Sequence, residues 1–456
     1  ESTEEPEGTD QPEDAEKPEG TDQPEDAEEP KSADQPENTD RQEDADQPES
    51  AEEPEGADQQ ESAGQQPQPQ QAAPAAAAPA APTSVITLIN NFANTVLNLT
   101  LRDVKIDVSD TGRENHAGKA ALSVQGKGNV EIELDGKNEL KSGYYRAGLE
   151  KTSAGTLTLK DNKEAGSGSL NAEGGALSAG IGGSYNDYSA NNGTKNIIIT
   201  GSTVTATGGD GGAGIGGGNG GAAENITITG STVTATGGGS VLGFGGAGIG
   251  GGERCDGENI TITGSTVTAT GDRGGAGIGG GAGESNRGNG NNITITGSTV
   301  TAISNGCGQR GNGGGAGIGG GCNRNGSHIT INGGTVTAEG GDHGAGIGGG
   351  AKGSGSNVTV SGAAQVTAIA GKGDRWDGAG ATIGSGSGGS TKNPDGTFTP
   401  GSGQEIQANI SGLITGWIHH IIYDPALVSE DNPDGILKEW WEPERPQPNP
   451  EDPNAP

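Results

Sequence analysis

Asn225-Ile226-Thr227-Ile228-Thr229-Gly230-Ser231-Thr232-Val233-Thr234-Ala235-Thr236 is followed, after a variable loop, by Gly246-Ala247-Gly248-Ile249-Gly250. The same pattern restarts at Asn196, Asn259, Asn292, His328 and Asn357, with successive copies 29, 34, 33, 36 and 29 residues apart. Periods of this size mark stacked repeat architectures. Within one copy, Ile226 and Ile228 alternate with threonines, Val233 and Ala235 continue the alternation, and Ala247 and Ile249 alternate with bare glycine. A period of 2 places one face of each segment in a core. Three short strands per coil, joined by turns at Gly230-Ser231 and at the glycine runs, predict a triangular prism whose rungs stack as parallel ladders. The core columns then include Ile226, Ile260 and Ile293; Val204, Val233 and Val267; and Ile215, Ile249, Ile278, Ile318 and Ile347. A further column of asparagines, Asn196, Asn225, Asn259, Asn292 and Asn357, should hydrogen-bond along the stack.

Composition agrees with a thin repetitive core. Of 456 residues 92 are glycine and only 3% are aromatic, too few large side chains for an ordinary globular interior. There is no methionine, and the chain is read as a processed form or a fragment. No run of 18 or more apolar residues is present, so no helical membrane span is expected. The net charge is −35, but residues 1–63 alone carry 26 acidic and 3 basic side chains. The repeat region is nearly neutral and lacks a basic stripe, which argues against nucleic acid as a partner.

These shifts divide the chain. Residues 1–84 read as a disordered acidic stalk, with 12-residue repeats over 4–63 and a Pro/Ala spacer after them. Extended at about 3.1 Å per residue, it would reach on the order of 250 Å. Residues 85–195 read as an N-terminal cap and irregular rungs, 196–390 as regular repeats, 391–423 as a C-terminal cap, and 424–456 as a second acidic, proline-rich linker.

Candidate site residues are few. Asp374-Arg375-Trp376-Asp377 is the one rung loop with a tryptophan; Arg375, Trp376 and Asp377 are types that partner and sugar contacts favour. Thr205, Thr234, Thr268, Thr301 and Thr337 form an outward threonine column. Its high β-propensity explains it structurally, and a flat Thr-x-Thr array also suits ice binding. Asp210, Asp272, Asp342 and Asp374 lie in loops after the threonine strand and could bind Ca²⁺; no other cofactor is expected. Trp417, His419 and His420 read as cap packing, and Trp440-Trp441 as a docking motif in the linker. Cys255, Cys307 and Cys322 leave three options open: a Cys255–Cys322 bridge, a Cys307–Cys322 bridge, or loop thiols.

From about Val85 to Tyr423, the Asn-Ile-Thr-Ile-Thr-Gly-Ser-Thr-Val-Thr-Ala-Thr segment at 225–236, the Gly-Gly-Ala-Gly-Ile-Gly-Gly-Gly segment at 211–218 and their copies resemble repeat regions of large secreted surface proteins of Gram-positive bacteria. They look like the right-handed parallel β-helix superfamily, and are similar to its carbohydrate-binding domains related to polysaccharide lyases. The resemblance implies a secreted, cell-wall or cell-surface protein with a glycan or a surface protein as partner. The expected function is a non-catalytic, carbohydrate-binding adhesin on a stalk. A structural wall spacer, a lyase-like enzyme and an ice-binding solenoid are the alternatives.

Overall fold

A computed structural model of the chain describes residues 84–162, 168–185, 193–240, 243–284, 287–306, 313–374, 377–389, 391–394, 397–399, 401–424, 427–429, 431–432 and 435–444. These residues form an all-β parallel solenoid; no α-helix occurs among them. One coil consists of Ala223–Thr229, Thr232–Gly238 and Ile249–Gly250, after which Gly257–Thr263 begins the next. Each strand pairs in parallel with its counterpart one coil on: Ile226 with Ile260, Val233 with Val267, Ile249 with Ile278. The expected three-stranded coil is therefore the one observed.

Three ladders result. A ten-stranded sheet runs from Ile86–Asn90 to Ile383–Gly384 and carries the glycine strands. The isoleucine and valine ladders share a second, 18-stranded sheet. They merge because Gly290–Ser304 and Gly326–Glu339 run unbroken through the corner between them. The same ladders reach back to the first described rung, where Ile86 pairs with Leu122 and Leu97 with Val130.

Inside lies one continuous core. Ile226, Ile228, Ile249, Ile260, Ile278 and Ile318 are all 0% exposed. Each such side chain contributes roughly 1.5–3 kcal/mol on burial, and stacking places like on like, so one column serves many rungs.

The corners explain the conserved spacing within each copy. At the valine corner, Ser231 Oγ donates to the Thr229 carbonyl at 2.9 Å and accepts the Ser202 amide at 3.3 Å. Ser265 and Ser298 repeat this arrangement one and two coils on. The asparagine column has a second cause besides stacking. Asn196, Asn225, Asn259 and Asn292 have φ between 55° and 60°, a left-handed conformation that asparagine tolerates better than most residues. Asn225 Nδ2 then donates to Asn196 Oδ1 at 3.0 Å, and Asn292 Nδ2 to Asn259 Oδ1 at 3.1 Å. On the glycine ladder, Gly250 has φ 135°, and a Cβ there would collide with the carbonyl oxygen of Gly279.

The C-terminal end departs from the sequence reading. Trp417–Tyr423 adds in parallel to Gln365–Ile369. Ile436–Glu442, assigned to a linker by its acidic, proline-rich surroundings, instead forms a strand antiparallel to Trp417–Tyr423. The antiparallel partner covers what would otherwise be an open edge.

Candidate functional site

The threonine face is set by register. Thr205 pairs with Thr234, Thr234 with Thr268, Thr268 with Thr301, Thr301 with Thr337 and Thr337 with Thr367. A parallel column begins at Thr203 and passes through Thr232, Thr266, Thr299 and Thr335 to Gln365. Val204 and Ala206 between them are buried at 1% exposure, so the hydroxyls face outward by alternation. Rungs about 4.8 Å apart make this a flat, regular array of hydroxyl and methyl groups. The third column is broken, since Thr207, Thr236 and Thr270 give way to Ile303 and Glu339.

The first two columns, one through Thr367 and the other through Gln365, end in rings. Thr367 pairs with His419, and Gln365 with Trp417. His419 pairs in turn with Trp441 on the antiparallel strand. The His419 and Trp441 rings are stacked, with centroids 3.9 Å apart, and Trp417 packs edge-on against Trp441 at 4.8 Å. His419 Nε2 lies 2.5 Å from Glu439 Oε1. Trp417 and Trp441 are half-buried, so part of each ring remains at the surface.

The opposite side of the same hairpin anchors it. His420 is 3% exposed and stacks on Trp440 with centroids 4.4 Å apart. Its Nδ1 is 2.6 Å from Thr382 Oγ1, which is 2.8 Å from Glu405 Oε2. The chain is satisfied when Nδ1–H donates to the hydroxyl and the hydroxyl donates to the carboxylate. His420 Nε2 is then a bare buried acceptor without a hydrogen-bond partner. Burial, with the neighbouring His419 and Lys438 charges, pushes His420 down to about 4. Burial also pushes the Glu405 carboxyl up, against donors from Thr382 and Ile383.

The remaining sequence candidates do not converge. Arg375 and Trp376 lie outside the described residues. Asp377 donates its amide to Asp374 Oδ1 at 2.8 Å, and Asp374 Oδ2 is 4.0 Å from His343 Nε2. Asp210 faces Gly238 on the next rung, and the Asp272 carboxylate accepts the Arg273 amide at 2.9 Å. Asp210, Asp272, Asp342 and Asp374 fall in the copies that start at Asn196, Asn259, His328 and Asn357, so they do not fill consecutive rungs. Among the described residues no group of three His, Cys, Asp or Glu side chains could hold a metal ion. Cys255 is a free thiol, 2% exposed and pushed up to about 12 by burial; it forms no bridge to Cys322. Cys322 packs in a small apolar cluster with Phe244, Ala282 and Ala351. Cys307 lies outside the described residues.

In the sequence alone, Trp417 and His419 read as cap packing and Trp441 as part of a linker. The available signal was alternation: Trp417, His419 and Ile421 face one way, Ile418 and His420 the other.

A family model for the beta helix repeat matches residues 166–185, 197–219, 226–253, 260–282 and 329–351. Each matched segment coincides with coils seen in the fold. The matched segments are similar to the beta helix repeat, and the described residues have the fold of a parallel β-helix. No curated protein matches this β-helix, and no solved structure does. Among its described residues no helix is long and apolar enough to cross a membrane.

Proposed function

We propose that this β-helix is a non-catalytic glycan-binding protein that lays a saccharide along its threonine face against the ring cluster at the end. The single observation that carries this is the run of two threonine columns, in register, into Trp417, His419 and Trp441. Sugar rings stack their apolar C–H faces on aromatic rings, while hydroxyls seek nearby polar groups. Trp417 and Trp441 supply the first, and Glu439, His419 and the threonine hydroxyls the second. The break at Ile303 and Glu339 interrupts the flatness an ice-binding face needs.

The wider reading is a secreted, cell-wall or cell-surface adhesin with a host or environmental glycan or a surface protein as its target; the stalk expected over residues 1–84 lies, but for Ser84, outside the described residues. The nearly neutral repeat region and the acidic tail support a partner other than nucleic acid. Screening the whole chain on a broad glycan array, with calcium and with chelator, tests this. Saturable binding to one glycan class is expected, and chelator sensitivity would implicate the loop aspartates. A blank array, or thermal hysteresis without glycan binding, would overturn it.

A further inference from the structure

A second site is built into the N-terminal coils, away from the threonine face. On the glycine ladder, Gly216 and Gly182 align with Glu150, and Glu150 with Ser123. Glycine is thus replaced by charge at this point of the stack. Glu150 is 2% exposed and accepts from Ser123 Oγ at 2.6 Å, Ser184 Oγ at 2.7 Å and Arg146 Nη1 at 2.9 Å. Burial pushes its carboxyl up, but those three donors outweigh it and hold it below the usual carboxylate range.

Lys151 is next along the strand and is 5% exposed. Among the described residues its ammonium has no carboxylate partner, and its hydrogen bond is to the Ser153 carbonyl at 2.8 Å. The Ser153 hydroxyl is buried with no hydrogen-bond partner. Both residues line a cleft of about 550 Å³ that Arg146, Glu150 and Lys195 also border. That volume lies within the range of small-ligand sites.

The charges can be paired off. Arg146 is matched by Glu150, and Lys195 by Glu224 at 2.6 Å. Among the described residues Lys151 is left over, so their side chains leave the cleft with one uncompensated positive charge beside an orphaned hydroxyl. A buried ammonium without a counter-charge is costly, and an anionic ligand would supply the missing charge. A monoanion balances the cleft, whereas a dianion would meet the fixed Glu150 carboxylate with surplus charge. We propose that this cleft binds a carboxylate-bearing sugar, the sugar resting on the glycan-binding reading above and the carboxylate on the charge of the cleft, with Lys151 taking the carboxylate and Ser153 Oγ donating to it.

The test is calorimetric titration of the whole chain with D-glucuronate, with D-glucose and inorganic phosphate as comparators. Glucuronate is expected to bind one-to-one and glucose not to bind. Lys151→Met should weaken glucuronate by about tenfold or more, and Trp441→Ala should leave it unchanged, which separates this site from the threonine face. A second readout avoids any folding defect of the variant: bound glucuronate should slow acylation of the Lys151 amine, which burial has brought down to about 8. No glucuronate binding, equal binding of glucose, phosphate preferred over glucuronate, unchanged affinity in Lys151→Met, or no protection of Lys151 would each overturn the proposal.

Discussion

His419 lies flat against Trp441 across an antiparallel strand pair, with ring centroids 3.9 Å apart and an interplanar angle of 1°. The contact exists because Ile436–Glu442 folds back on Trp417–Tyr423 in a register that sets these two residues opposite each other. Cross-strand aromatic pairs contribute about 0.5–1.5 kcal/mol beyond their burial. Trp441→Ala removes this stack and the edge contact with Trp417. Amide hydrogen exchange should then speed up across Ile436–Glu442 while the coils around Ile278 stay protected. Equal loss of protection in those coils would show that the hairpin is not a separate end piece.

Acid should loosen the same end from beneath. The folded His420 is depressed to about 4, below its ordinary value, so between those values the unfolded chain binds the extra proton. Stability contributed here is present above pH about 6.5 and falls away as pH drops toward about 4. The loss should amount to about 2–3 kcal/mol. Fluorescence of the C-terminal tryptophans followed against pH checks this, and His420→Phe should flatten the profile. An unchanged profile in that variant would assign the acid sensitivity to other groups.

Two glycines with positive φ should respond very differently to alanine. Gly230 has φ 56° and open space around a would-be Cβ, so Gly230→Ala should cost only about 1 kcal/mol of left-handed strain. Gly250 faces the backbone of the next rung, and Gly250→Ala should cost more than about 3 kcal/mol. Denaturant melts of the two variants, compared side by side, decide it. Similar costs would mean that the glycine ladder is not close-packed.

Ile278 sits mid-column at 0% exposure, paired with Ile249 before and Ile318 after. Ile278→Asp buries an unpaired carboxylate and should cost more than about 4 kcal/mol. Limited proteolysis should then cut within several neighbouring coils, because the column is shared. Cleavage confined to a single loop would contradict a continuous core.

The coil could be read from the sequence because its rules are local. Alternation in Ile226-Thr227-Ile228-Thr229 and Thr232-Val233-Thr234-Ala235 fixes which side is buried, and repetition fixes the register. The asparagine ladder was visible as a column, but its left-handed backbone was not, since asparagine is compatible with several conformations. The strand Ile436–Glu442 was hidden because Ile436-Leu437-Lys438-Glu439-Trp440-Trp441-Glu442 lacks clean alternation and lies among prolines and acids. Its order comes from a partner strand rather than from its own pattern. The Arg146, Glu150 and Lys151 cluster was equally hidden, because Ser123 and Ser184 reach Glu150 only through the stacking of three coils.

The most direct measurement is a glycan array probed with the whole chain and, in parallel, with a Trp417→Ala/Trp441→Ala double variant of matching circular dichroism. The natural chain should bind one glycan class saturably, and the variant should lose at least about tenfold in affinity, as expected for removing stacking anchors. Undiminished binding by the variant would contradict it and move the glycan site away from the ringed end of the threonine face.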